Sequence, residues 1–229
     1  ALVAFLFYQS FNSFPPLSSI FQLPTPNFSP TIFQLTISVL DLLFKIFFIA
    51  ILAIITITDL KDTLIPDRVI LPAILAGIIY LVILTAFKVG YLYYYLTLTP
   101  IGRLLLPPHS DYFTRHAFYN VEPLVFTFLA ALAIGGFFMA LILITKGRGM
   151  GGGDVKLGAF IGLGLGFPNA LVAIILAFLT GAVSAIGLII AGKKNFGENI
   201  PFGPFLVIGS LIALFWGKEV INWYLNISH

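Results

Sequence analysis

Long apolar runs separated by short polar breaks organise this chain. Residues 33–58 are almost continuously hydrophobic, and residues 69–86 and 123–145 repeat the pattern. Residues 155–191 form a further apolar stretch, which Phe167-Pro168-Asn169 cuts into a short glycine-containing segment and a longer one. A last run covers residues 205–216 and continues toward Leu225. A helix needs about 20 apolar residues to cross hydrocarbon. The pattern therefore predicts an all-α fold, a polytopic transmembrane helix bundle of about six spans, in one integral-membrane domain over residues 1–229. The breaks carry turn chemistry. Ile65-Pro66 biases residue 65 away from helix, Phe167-Pro168-Asn169 makes a helical hairpin, and residues 193–204 form a loop containing Pro201, Gly203 and Pro204.

Two regions depart from this rhythm. Residues 88–121 form the longest polar interruption and read as an outer loop, with Tyr91, Tyr93, Tyr94 and Tyr95 at the bilayer interface. His109 and His116 fall in this interruption with prolines nearby, so they read as loop residues rather than a metal pair, and no metal site is expected. Residues 12–30, rich in proline and serine, read as irregular. The run before them, residues 1–11, is too short to span alone. The chain opens at Ala1 rather than Met and shows no cleavable signal, so the expectation is an upstream region, or the end of a truncated helix.

Composition agrees with the pattern. Hydrophobic residues make up 59% of the chain and charged residues 9%, too few charges for the surface of a soluble domain. The net charge of +3 sits in short loops rather than on a basic face, so nucleic acid is not an expected partner and the lipid bilayer is. Lys61 and Arg68, Lys146 and Arg148, and Lys193 and Lys194 fall on one side of the expected topology, which the positive-inside rule places in the cytoplasm.

The few acids then stand out. Asp41 and Lys45 lie four residues apart, on one helical face where they can neutralise each other, and read as a structural ion pair. Asp59 sits at the very end of an apolar run, with Asp62 and Asp67 following as acids of a solvated loop and of a helix N-terminus. Asp154 ends the run Met150-Gly151-Gly152-Gly153, where a hydrophobic segment begins again. An ionisable residue at a membrane segment is a candidate functional group, because burying it without a partner is costly. Both Asp59 and Asp154 lie on the cytoplasmic side of the expected topology. If two such carboxylates approach closely, repulsion and burial leave one ionised and the other protonated. The first can then take a proton from water while the second polarises a peptide carbonyl.

Gly151-Gly152-Gly153-Asp154 fits the Gly-x-Gly-Asp element of intramembrane aspartyl proteases. Its setting, Met150 through Leu157, resembles that of the type IV prepilin peptidases. Asp59-Leu60-Lys61-Asp62-Thr63-Leu64-Ile65-Pro66-Asp67 resembles that family's first catalytic segment, and Asn199-Ile200-Pro201-Phe202-Gly203-Pro204 its third recognisable stretch. The resemblance implies that Asp59 and Asp154 are the catalytic pair and that the substrate is a prepilin or pseudopilin, cut after a glycine at the end of its basic leader. Gly151, Gly153, Lys156, Pro66, Asp67, Pro201, Gly203 and Pro204 would bind substrate or shape the pocket. For Lys156 the readings are snorkelling to the interface, or tuning the acids or orienting the loop. No cofactor is implied for proteolysis. S-adenosylmethionine would be needed only for the N-terminal methylation that some members perform, and this chain has none of the paired cysteines found upstream in many of them. An archaeal preflagellin peptidase is a close alternative. A presenilin-like protease fits less well, lacking Tyr-Asp at the first acid and Pro-Ala-Leu after the second. A transporter with a carboxylate proton relay would place its acids near midplane and repeat its halves, and a scaffold of pilus or secretion assembly would not need both acids.

Overall fold

The structure, a computed structural model, describes residues 30–98, 100–147, 150–192 and 201–227. The readings made for residues 1–29, Arg148, Lys193, Lys194, Asn199 and Ile200 fall outside these. The described residues form helices α1 (Pro30–Asp62), α2 (Asp67–Thr97), α3 (Pro100–Leu104), α4 (Tyr112–Thr145), α5 (Gly152–Leu165), α6 (Asn169–Ile190) and α7 (Gly203–Ile227), with no strand among them. Helices α1, α2, α4, α6 and α7 are long and apolar enough to cross a membrane, which makes this a multi-pass membrane protein. Backbone polar groups in hydrocarbon must be satisfied within their own segment, and helices do this.

The chain divides into two compact units, residues 1–50 and 51–229. In the first, Lys45 Nζ lies 2.8 Å from Asp41 Oδ2, the ion pair expected from their four-residue spacing. Everything that bears on the candidate site belongs to the second.

The expected hairpin is present, with α5 ending at Leu165 and α6 beginning at Asn169. The long outer loop is not. Helix α2 continues through all four tyrosines to Thr97, and α4 begins at Tyr112, so most of residues 88–121 is helical. The reason lies in the pattern beneath the tyrosines: Leu92 and Leu96 are buried four residues apart, and Tyr91 and Tyr95 stack one turn apart with ring centroids at 6.3 Å. Pro123, the expected start of a span, lies inside α4. Proline removes one backbone donor, and Thr127 Oγ1 donates to the Pro123 carbonyl at 2.8 Å.

Helix α5 explains how the bundle is held. Its 14 residues span about 21 Å, short of a roughly 30 Å hydrocarbon core. It packs most extensively on α4 and also touches α2, α6 and α7. Close approach to α4 depends on small residues: a Cβ on Gly162 would sit 2.6 Å from Ala131 Cα, and one on Gly158 2.7 Å from Phe138 Cε2. Gly158 and Gly162 are four residues apart, so one face of α5 is stripped of side chains and fits against α4, the small-residue packing common between membrane helices. Helices α6 and α7 do the same, with Gly209 set against the Ala173 and Ala177 backbone.

Candidate active site

The end of α1 with the α1–α2 turn, the start of α5 and the start of α7 meet at one end of the second unit, and each brings part of the site. On α1 the buried positions Leu52, Ile55 and Asp59 follow each other at helical spacing, so Asp59 belongs to the stripe that faces protein. It is 6% exposed. The Gly203 backbone amide at the start of α7 faces its carboxyl, while Oδ2 is buried without a hydrogen-bond partner among the described residues. The approach requires glycine, because a Cβ on residue 203 would lie 3.0 Å from Asp59 Cγ. Phe202, next to it, is anchored by ring contacts to Phe178 at 5.0 Å and Phe138 at 6.1 Å, which fix Gly203 over the acid. Pro204 occupies the first turn of α7, where a missing donor costs nothing. Pro201 lies half-buried just ahead of the helix.

The second acid is built by the glycine run. Gly151 precedes α5 in extended conformation. Its carbonyl accepts from the Asp154 N–H at 3.1 Å, and its own N–H donates to Asp154 Oδ2 at 3.2 Å. This reciprocal pairing fixes the carboxyl at the α5 N-terminus, where a negative charge is favoured by the helix dipole. Asp154 lies outside the five long spans and is half-buried. Burial pushes its carboxyl up to about 6, the Gly151 hydrogen bond opposes this, and the charge of Asp59 adds to it. The charge of Asp59 thus reaches Asp154 although 95 positions separate the two in the sequence (154 − 59).

The α1–α2 turn closes the third side. Thr63 adopts φ 50° and its N–H donates to the Asp59 carbonyl at 3.0 Å, ending α1 one residue earlier. Ile65 is buried and lies against Gly153, where an added Cβ would come within 2.9 Å of Ile65 Cβ. Pro66 caps α2 in extended conformation, and Asp67, in the first turn of α2, forms an ion pair with Lys156 on α5.

Of the ten residues singled out in the sequence, the structure brings Asp59, Asp154, Gly203, Gly153, Gly151, Lys156, Pro66 and Asp67 into one end of the bundle through the contacts above. Pro201 and Pro204 flank Gly203. A Cβ on Gly151 would meet little there, its nearest neighbour being Gly153 N at 4.0 Å. Sequence reading missed two supports. Ile65 registers only within the turn segment, where Leu64 stands beside it and nothing in the sequence says that Ile65 is the buried one and Leu64 the exposed one. Phe202 takes its meaning from an aromatic cluster assembled from three helices.

The type IV leader peptidase family matches residues 46–186, a stretch that contains both acids and the turns that carry them. The chain belongs to this family. Among curated proteins, it is 30% identical over 176 residues to the prepilin leader peptidase/N-methyltransferase of Aeromonas salmonicida, covering 77% of this chain and 50% of that one. It is 40% identical over 95 residues to the protein of the same name from Aeromonas hydrophila, covering 42% of this chain and 33% of the other. With the Bacillus subtilis protein of that name it shares 26% over 189 residues, 82% of this chain and 62% of the relative. The chain thus spans about half the length of the curated relatives it matches. No solved structure matches it.

Proposed function

We propose that this type IV leader peptidase family member is an aspartyl endopeptidase of the cytoplasmic membrane. Its substrates are type IV prepilins or pseudopilins, and Asp59 and Asp154 are its catalytic pair. The observation that carries this reading is the convergence of the two acids, one nearly sealed from solvent and the other held at a helix N-terminus within its field. Family membership and the named relatives supply the substrate class.

The chemistry follows from the surroundings. With Asp154 pushed up to about 6, its protonated form persists close to neutrality, and it is suited to donate a hydrogen bond to the scissile carbonyl oxygen. Asp59, ionised, takes a proton from the attacking water. The water oxygen bonds to the carbonyl carbon, the carbon–nitrogen bond breaks, and a proton passes to the departing amine. The Gly203 amide and the burial of Asp59 hold its carboxylate in place while this happens.

Orientation is supported by charge. Lys61, Arg68 and Lys146 are exposed in the turns at the site's end of the bundle, and basic turns favour the cytoplasm. A leader on that side and a pilin helix in the bilayer would present their junction at the level of the acids. The relatives' shared name includes an N-methyltransferase activity. S-adenosylmethionine would be its methyl donor, and methylation is not part of the proposal.

The test is processing of a prepilin with an intact leader in membranes carrying this chain, read by product mass. One cut after the glycine at the leader's end is expected. No cut, or cuts scattered through the pilin, would overturn the assignment.

A further inference from the structure

Lys156 is two residues from Asp154 on the same helix, and residues so spaced point to different sides. It turns away from the acid and reaches α2, where its ammonium meets the Asp67 carboxylate. We propose that Lys156 and Asp67 form a positioning clamp that keeps the Gly151–Asp154 turn in register with the end of α1 and so sets the spacing of the two acids. This rests on the reading of Asp59 and Asp154 as the catalytic pair.

The clamp has two jaws on each side. Gly153 presses on Ile65, one residue before Asp154, and Lys156 holds Asp67, two residues after it. On the other side, Ile65 and Asp67 belong to a turn that is hydrogen-bonded to Asp59 itself, through the Thr63 N–H and the Asp59 carbonyl. Between them stands Pro66, whose fixed φ limits how the turn can flex. A short, stiff path therefore runs from the Asp59 backbone through Ile65 and Asp67 to the residues on either side of Asp154. The apolar jaw alone resists approach but not sliding, since a methylene face on a glycine has no preferred register. The ion pair supplies the register.

Its exposure argues for position rather than stability. The two side chains are 36% and 59% exposed, and ion pairs so open to water add little to global stability. Catalysis is far more sensitive, because small displacements of reacting groups cost rate steeply.

The test compares the native chain with Lys156→Met, Asp67→Asn, Lys156→Arg and the exchanged double variant Asp67→Lys with Lys156→Asp, each reconstituted in lipid. Thermal midpoint, kcat and KM for a prepilin substrate, and amide hydrogen exchange across residues 150–158 without substrate are recorded. Each neutralised variant is expected to keep its midpoint, lose about 3- to 10-fold in kcat with KM within about two-fold, and exchange faster over this segment. Lys156→Arg and the exchanged pair are expected to return within about three-fold of native kcat and to recover protection. Neutralised variants with native rate and native exchange would overturn the clamp, as would an exchanged pair as impaired as the neutralised variants. A native chain that cuts no prepilin would count against the proposed function alone, because the exchange measurement still decides the clamp.

Discussion

Replacing Gly203 by alanine tests the closest approach in the site. The added methyl would lie 3.0 Å from Asp59 Cγ and 3.5 Å from Asp59 Cβ, whereas unstrained carbon contacts fall at about 3.5–4.0 Å. At least one partner must move by roughly 0.5–1 Å. Neither moves freely, since Asp59 is 6% exposed and Phe202 is held by its rings on α4 and α6. Overpacking of this kind costs about 1–3 kcal/mol, or roughly 3–10 °C in the thermal midpoint of a chain of this size. Displacing a catalytic carboxylate by up to about 1 Å costs on the order of 100-fold in rate. Gly203→Ala is therefore expected to fold with a lowered midpoint and to cleave about 100-fold more slowly at saturating substrate. Removing the group that is struck should remove the penalty, so the midpoint loss caused by Gly203→Ala is expected to shrink by at least half in an Asp59→Ala background. Equal losses in both backgrounds, or a Gly203→Ala chain that cleaves at the native rate, would refute the contact as the cause.

Three further outcomes follow from the same geometry. Gly162→Ala, whose methyl would meet the Ala131 backbone at 2.6 Å, is expected to lose more than about 2 kcal/mol in reversible unfolding, while Gly90→Ala, which meets nothing within 4 Å inside α2, is expected to be neutral or to gain up to about 1 kcal/mol. The Asp154 carboxyl is pushed up to about 6 from an ordinary 3.8, so the folded chain binds more protons than the unfolded one between pH 4 and 6, and stability is expected to fall as pH rises through that window. In Asp154→Asn the slope should flatten, and an unchanged slope in thermal melts across that range would contradict the assignment. Cleavage by the native chain is expected to decline on the alkaline side once Asp154 loses its proton, measured as kcat against pH.

Much of this is legible in the amino-acid sequence, and the reasons are physical. Apolar runs must become helices in a bilayer, so the spans, the hairpin at Phe167-Pro168-Asn169 and the turn at Ile65-Pro66 follow from the chain itself. Asp59 and Asp154 were visible because an acid at the end of an apolar run is expensive unless used. What stayed hidden depends on the third dimension. Residues 88–121 look like a loop because tyrosines and charges break the hydropathy, yet Leu92 and Leu96 keep a buried stripe running beneath them. Lys156 and Asp67 each have an ordinary reading as an interface lysine and a helix N-terminal acid, and only the fold shows them paired across 89 positions. Gly203 reads as a turn residue, and its contact with Asp59 depends on how α7 is anchored by Phe202 rather than on any local signal.

The central claim, that two carboxylates from different helices act together on one peptide bond, is tested most directly by single-turnover cleavage of a prepilin in reconstituted membranes. The comparison is between native chain, Asp59→Asn, Asp154→Asn and the double variant, at matched protein levels and confirmed folding. Groups that act as a unit are non-additive: each single variant is expected to lose at least about 1,000-fold, and the double variant to be no worse than either. Cleavage that survives in one single variant, or losses that multiply in the double, would contradict a shared site.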